Sequence, residues 1–284
     1  MNSTLVSVAE LAAWPSPDLL IVDCRHALAD PAQGEREYRA GHIPGAVFAS
    51  LDRDLSDLSR QAEGLGRHPL PREADFAAVL GRWGWRPGLQ VVAYDAAQGA
   101  LAAARLWWLL RLVGERAVAV LDGGFPAWQA AGLPVATEVP VREPGQVTVH
   151  YDRSQVLLDA ASLLERPGPV LLDARAAPRY RGDEEPLDPV GGHVPGALNR
   201  PFSDNLSADG RFKPADALRR EFVAATRGRA PGEVVHMCGS GVTACHNLLA
   251  MEHAGLSGSR LYAPSWSGWT SDPSRPVAKG PEPG

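Results

Sequence analysis

The stretch "LLIVDCRHALADPAQGEREYRAGHIPGAVF" at residues 19–48 returns in outline as "PVLLDARAAPRYRGDEEPLDPVGGHVPGALN" at residues 169–199. Each copy gives an apolar run, an Asp-x-Arg, a polar stretch and then Gly-His-[Ile/Val]-Pro-Gly-Ala. Two more pairs follow in the same order. "VVAYDAAQGALAAARLWWLLRL" (91–112) answers to "VVHMCGSGVTACHNLLAMEHAGL" (234–256), and "AVLDGGFPAW" (119–128) to "RLYAPSWSGW" (260–269). Repeats spaced by about 140 to 150 residues mean a duplicated domain, not a solenoid of short units.

Within each half, buried-looking strands alternate with helical stretches. "LLIVD", "QVVAYD" and "AVAVLD", then "PVLLD", "EVVHM" and "SRLYA", are short apolar runs of the kind parallel strands require. "ALAAARLWWLLRLVG" and "VTACHNLLAMEHAG" have helical length and end on glycine. This alternation predicts an α/β fold, two tandem domains each built on an open, mostly parallel sheet flanked by helices. The expected domains are 1–136 and 151–272, with a linker at 137–150 and a proline-rich tail at 273–284 that lies on the surface or is disordered. Ligands in such sheets bind beyond the carboxyl ends of the strands.

The composition narrows the function. A net charge of −5 supplies no broad basic field, which argues against nucleic acid as a partner. No apolar run reaches the roughly 20 residues that cross a membrane, and the first residues carry no signal-peptide pattern. Three scattered cysteines, Cys24, Cys238 and Cys245, are too few for a disulfide framework and fit a reducing, cytoplasmic setting. His246 and His253 lie two helical turns apart, too far to share one metal, so neither a metal site nor a cofactor is expected.

Cys238 stands where a strand gives way to Gly239-Ser240-Gly241-Val242-Thr243 and a helix. Two glycines let the backbone fold so that several N–H groups converge, an anion-binding nest facing the sulfur. A thiolate is the reactive form of cysteine, and a helix N-terminus favours it. In the first half the matching position is Asp95, with one glycine and no nucleophile. One half reads as catalytic and the other as structural. Cys24 and Cys245 read as small buried hydrophobes.

At these residues the chain resembles the rhodanese family of sulfurtransferases in its tandem-domain form. The similarity spans both Gly-His-x-Pro-Gly-Ala motifs, "LDGGFPAW", "CGSGVTAC" and "SWSGW". It implies that the second domain is catalytic and that Cys238 accepts sulfur from a donor as a persulfide. The sulfur then passes to cyanide or a thiol, with a thioredoxin-like reductant as one partner. The loop is similar to that of the members using 3-mercaptopyruvate. Members preferring thiosulfate carry Arg-Lys where this chain has Gly239 and Ser240.

The resemblance also implies a proton relay from Ser240 through His42, with Asp30 the nearest candidate for its third member. It makes Arg179, in "APRYRG", the residue that binds the donor's carboxylate, as planar two-point recognition requires. The family's second arginine is absent from "DEEPLDPV", and Arg200 in "LNRPF" is the candidate to replace it. The family often has glutamate where Gly268 stands. Duplication itself argues that His42, His193 and the Asp-x-Arg pairs are scaffold. A cysteine phosphatase is excluded, because the sixth residue after Cys238 is Ala244, not arginine. An inactive binding module fits poorly with an intact cysteine loop. Thiosulfate as the donor stays open.

Overall fold

The computed structural model describes residues 1–14, 16–165 and 168–284. Its contacts divide the chain into two units. Unit 1 comprises Met1–Asp57, Leu70–Asp152 and Asp209–Arg211; unit 2 comprises Leu58–Pro69, Arg153–Ala208 and Phe212–Gly284. The boundary expected at residue 136 is thus crossed twice, and 137–150 belongs to unit 1 instead of standing apart as a linker. The Gly145 N–H donates to the Gly81 carbonyl (3.0 Å), and Ala136 pairs with His42 as an isolated antiparallel bridge.

Unit 1 runs β1 (Leu5–Val6), α1 (Val8–Ala12), β2 (Leu19–Asp23), α2 (Gln33–Ala40), β3 (Val47–Phe48), α3 (Glu73–Arg82), β4 (Gln90–Tyr94), α4 (Ala103–Leu112), β5 (Val118–Leu121) and α5 (Gly124–Ala130). Unit 2 runs β6 (Val156–Leu157), β7 (Val170–Asp173), α6 (Ala177–Arg181), β8 (Leu198–Asn199), α7 (Ala215–Ala225), β9 (Val234–Met237), α8 (Ala244–His253), β10 (Arg260–Tyr262) and α9 (Ser265–Trp269). The sheet orders, β1-β5-β4-β2-β3 and β6-β10-β9-β7-β8, are one topology twice over. Neighbouring strands are parallel throughout, with Asp23 beside Tyr94 and Asp173 beside Met237 in register.

The three apolar runs read in each half are the three inner strands. Leu19–Asp23 and Gln90–Tyr94 are buried at every position, as a sheet covered on both faces demands. The edge strands β1, β3, β6 and β8 have two residues each, too short to form a pattern. One core cluster in unit 1 centres on Ile21, Val92 and Leu121. Its counterpart in unit 2 centres on Leu171, Val235, Trp266 and Trp269, so both tryptophans are core.

The duplicated motifs are the frame. In unit 1, Arg25 Nη2 donates to Asp23 (2.6 Å) and to the Gly41 carbonyl (2.6 Å). In unit 2, Arg175 Nη2 does the same to Asp173 (2.7 Å) and Gly192 (2.6 Å). Each buried Asp-x-Arg pair thereby ties a strand end to the Gly-His turn. His42 stacks on Tyr38 and His193 on Tyr180, with ring centroids 4.1 and 3.8 Å apart.

The tail lies on the surface, one of the two outcomes expected of it, and backbone pairing holds it there. Ala278 pairs with His193 in an antiparallel bridge, and the Gly196 N–H donates to the Pro283 carbonyl (2.6 Å). Val277 packs on the unit 2 core. Among the described residues no helix is long and apolar enough to cross a membrane.

Candidate functional site

Strand β9 ends at Met237, and the chain turns at Cys238, which is 1% exposed. Helix α9 grips this turn. The Cys238 N–H donates to Ser265 Oγ (3.1 Å), while the Cys238 and Gly239 carbonyls accept from the Trp266 and Ser267 N–H groups (3.0 and 2.8 Å). Ser265 has φ +53°, a left-handed conformation unusual for a residue with a side chain. Its hydroxyl offsets that strain by donating to the Tyr262 carbonyl (3.0 Å) while accepting from Cys238.

With α9 holding the carbonyl side, the N–H side of the loop is left over. The backbone N–H groups of Gly239, Ser240, Val242 and Thr243 make no hydrogen bond among the described residues. Unbonded donors at the start of α8, beside a buried sulfur, are what the nest expected of the Gly-Ser-Gly spacing requires. Unit 1 shows what such a nest does when filled. There the Asp95 carboxylate accepts from five N–H groups: Ala97 and Gly99 (2.8 Å each), then Leu101, Ala102 and Ala103 (3.2 Å each). Asp95 occupies its own cradle.

Unit 2 also contains Leu58–Pro69, a segment from the first half of the sequence, and it brings two polar side chains to the loop. Its glycines rest on α9. A Cβ on Gly66 would fall 2.4 Å from the Pro264 carbonyl oxygen, and one on Gly268 would fall 2.9 Å from the Gly64 oxygen. This contact explains the glycine at 268, where a glutamate would displace the segment. The Arg67 N–H donates to Ser267 Oγ (2.9 Å), fixing the next two residues over the loop.

The first group is His68, whose Nδ1 lies 2.8 Å from Ser240 Oγ; both side chains are almost buried, at 7% exposure. The second is Arg67. A Cβ on Gly239 would lie 3.1 Å from Arg67 Nη2 and 3.4 Å from Arg179 Nη1, so two guanidinium groups face the loop there. This also explains why residue 239 has no side chain. Both arginines are backed by carboxylates. Arg67 Nη1 pairs with Asp188, and Arg179 Nη2 pairs with Glu185 (2.6 Å) and Asp188 (3.2 Å). Burial raises the Asp188 carboxyl above its ordinary range, against the pull of Arg67.

Of the predicted residues, the structure gathers Cys238, Ser240, Arg179 and the loop through Thr243. Three others go elsewhere. His42 faces backbone carbonyls with both ring nitrogens, Tyr38 at 2.7 Å and Glu138 at 3.1 Å, so it braces unit 1; the histidine on Ser240 is His68. Asp30 is an exposed turn residue paired with Arg36 (2.5 Å). Arg200 donates to Glu221 (2.7 Å) and lies over the Phe222 ring, so the second cation at the loop is Arg67. The remaining cysteines are sealed. Burial, reinforced by the charge of Asp23, pushes the Cys24 thiol well above its ordinary range. Cys245 Sγ donates to the Gly241 carbonyl (3.4 Å). His246 is buried against Phe212 and Asn205.

Comparison with known proteins agrees with this arrangement. The rhodanese-like domain family matches twice, over residues 7–131 and 157–272. A Pseudomonas aeruginosa protein named as a probable 3-mercaptopyruvate sulfurtransferase is 52% identical, over 98% of this chain and 99% of its own. The thiosulfate sulfurtransferase of Cricetulus griseus is 35% identical over 89% of this chain and 85% of its own. The solved structure of 3-mercaptopyruvate sulfurtransferase from Leishmania major, 30% identical, superposes with a TM-score of 0.82, covering 95% of this chain and 74% of that one. Two units of one topology, two family matches and full-length relatives lead to one statement: this chain belongs to the rhodanese-like family as a tandem, two-domain member.

Proposed function

We infer that the chain is a sulfurtransferase that takes sulfur from 3-mercaptopyruvate onto Cys238 and hands it to a thiophilic acceptor. The observation that carries this is the loop itself: a buried cysteine ringed by unbonded N–H donors, with Ser240–His68 on one side and Arg67 and Arg179 on the other. The first step makes a bond between the Cys238 thiolate and the donor sulfur. The donor's C–S bond breaks, and its electron pair leaves on pyruvate's enolate. Ser240, paired to His68, delivers the proton that turns enolate into pyruvate. The nest stabilises the charged persulfide. In the second step a thiolate or cyanide attacks the outer sulfur, and Cys238 leaves as thiolate.

The acceptor is a free thiol, cyanide or a thioredoxin-like dithiol. Three free, buried cysteines support a reducing setting such as the cytoplasm. Two half-reactions predict ping-pong kinetics. Cys238→Ser is expected to abolish transfer from every donor while leaving the melting temperature within a few degrees of wild type. Mass spectrometry of the wild type after exposure to donor should show one added sulfur on the Cys238 peptide. Persistent turnover by the variant, or sulfur on another residue, would remove the assignment. Thiosulfate, the substrate in the name of the relative from Cricetulus griseus, is the second reading.

A further inference from the structure

Two arginines facing the loop would ordinarily favour the most highly charged donor available. The structure cancels that preference with buried carboxylates. Asp188 gives one oxygen to Arg67 Nη1 and the other to Arg179 Nη2 (3.2 Å), and its side chain is 3% exposed. Glu185 joins Arg179 to Arg175 (2.6 and 3.4 Å), and Arg175 also holds Asp173 (2.7 Å). Three arginines therefore meet three carboxylates, and the neighbourhood is neutral. Arg67 Nη2 and Arg179 Nη1, the nitrogens nearest Gly239, are left without a hydrogen bond among the described residues.

Resting on the sulfurtransferase reading, we propose that Asp188 sets the charge of donor this site accepts. Bridging Arg67 and Arg179 with one oxygen each, it holds their outward N–H groups as a two-point anchor for a single carboxylate. It also removes the surplus positive charge that a dianion needs. A 2-oxo acid thiol such as mercaptopyruvate has one carboxylate and fits the anchor. Thiosulfate has two negative charges, and its second charge meets no uncompensated cation. This chain brings its cations from outside the loop and pairs each with a carboxylate. Asp188 is a positioning residue that touches the arginines, and its effect on specificity is electrostatic.

The test compares kcat/KM for thiosulfate and for 3-mercaptopyruvate in the wild type, Asp188→Asn and Arg67→Ala, with cyanide as acceptor. Asp188→Asn keeps the side chain's size and removes one charge, leaving the site net positive. The thiosulfate-to-mercaptopyruvate ratio is expected to rise about tenfold, the scale of one charge at such distances. Arg67→Ala removes a cation and half of the anchor. The ratio should fall, and KM for mercaptopyruvate should rise about tenfold with kcat little changed. Losses shared equally by both donors in Asp188→Asn would mark it as a structural residue and overturn the proposal. Should that variant fail to fold, Arg67→Ala decides alone, and an unmoved or raised ratio overturns the proposal. A wild-type protein that takes sulfur from neither donor sinks the sulfurtransferase reading itself, before any variant is made.

Discussion

Ser240 lies two residues beyond Cys238, and its partner, His68, comes from 172 positions earlier in the chain. A hydroxyl alone is a poor proton donor at neutral pH; coupled to an imidazole it becomes a usable one. That role is needed only when the leaving group is a strong base, as an enolate is and sulfite is not. Ser240→Ala and His68→Asn are each expected to lower kcat with mercaptopyruvate by about 10²-fold while costing much less with thiosulfate. Single-turnover pyruvate release and sulfite release provide the comparison, and equal losses with both donors would exclude the relay. The Cys238 loop could be read from its own spacing, and Ser240 and Arg179 from the family resemblance; the structure places the three around one loop. Arg67 and His68 could not be read, because docking of the Gly64–Gly66 turn on α9 is a packing fact without periodicity. His42 misled for the opposite reason: its motif is repeated, and repetition here marks scaffold.

Strand β9 illustrates how far an element can be read in advance. Its apolar run and its position before Cys238 were plain in "EVVHM", but the environment of the histidine inside the run was not. His236 is fully buried, with Nε2 3.2 Å from Met251 Sδ and Nδ1 unpartnered among the described residues. Burial lowers its pKa to about 3. An unfolded histidine titrates near 6.5, so below that pH the unfolded chain takes up a proton that the native strand refuses. The stability linked to His236 is therefore complete above about pH 6.5 and is lost as pH falls toward 3. The slope is about 1.4 kcal/mol per pH unit. Denaturant midpoints at about pH 7 and 4.5 should lie closer together in His236→Leu than in the wild type. Parallel shifts in the two proteins would refute this account. The edge strands, two residues each, show the other limit, since only pairing in the finished sheet defines them.

Across the whole chain, duplication carried most of what the sequence could say: the alternation of strands and helices in two like domains, and the equivalence of Asp95 and Cys238. It did not show that Leu58–Pro69 and Asp209–Arg211 each belong with the other half's unit, because contacts and not homology define a unit. The proline-rich composition at 273–284 pointed to the surface or to disorder; the tail lies on the surface, where backbone pairing with the Gly-His turn orders it. Asp95 has a wider consequence. A carboxylate with five backbone donors is a permanent ligand, grown by the chain itself, in a cradle whose sister in unit 2 is, on the proposed mechanism, refilled at every turnover. Duplication has thus divided one ancestral task into a fixed post and a working one, and the fixed post should have become essential to folding. Asp95→Asn, which sets an amide nitrogen against converging N–H groups, is expected to cost about 3 kcal/mol in denaturant unfolding. A cost near zero would mean that the retired half never came to depend on its resident anion.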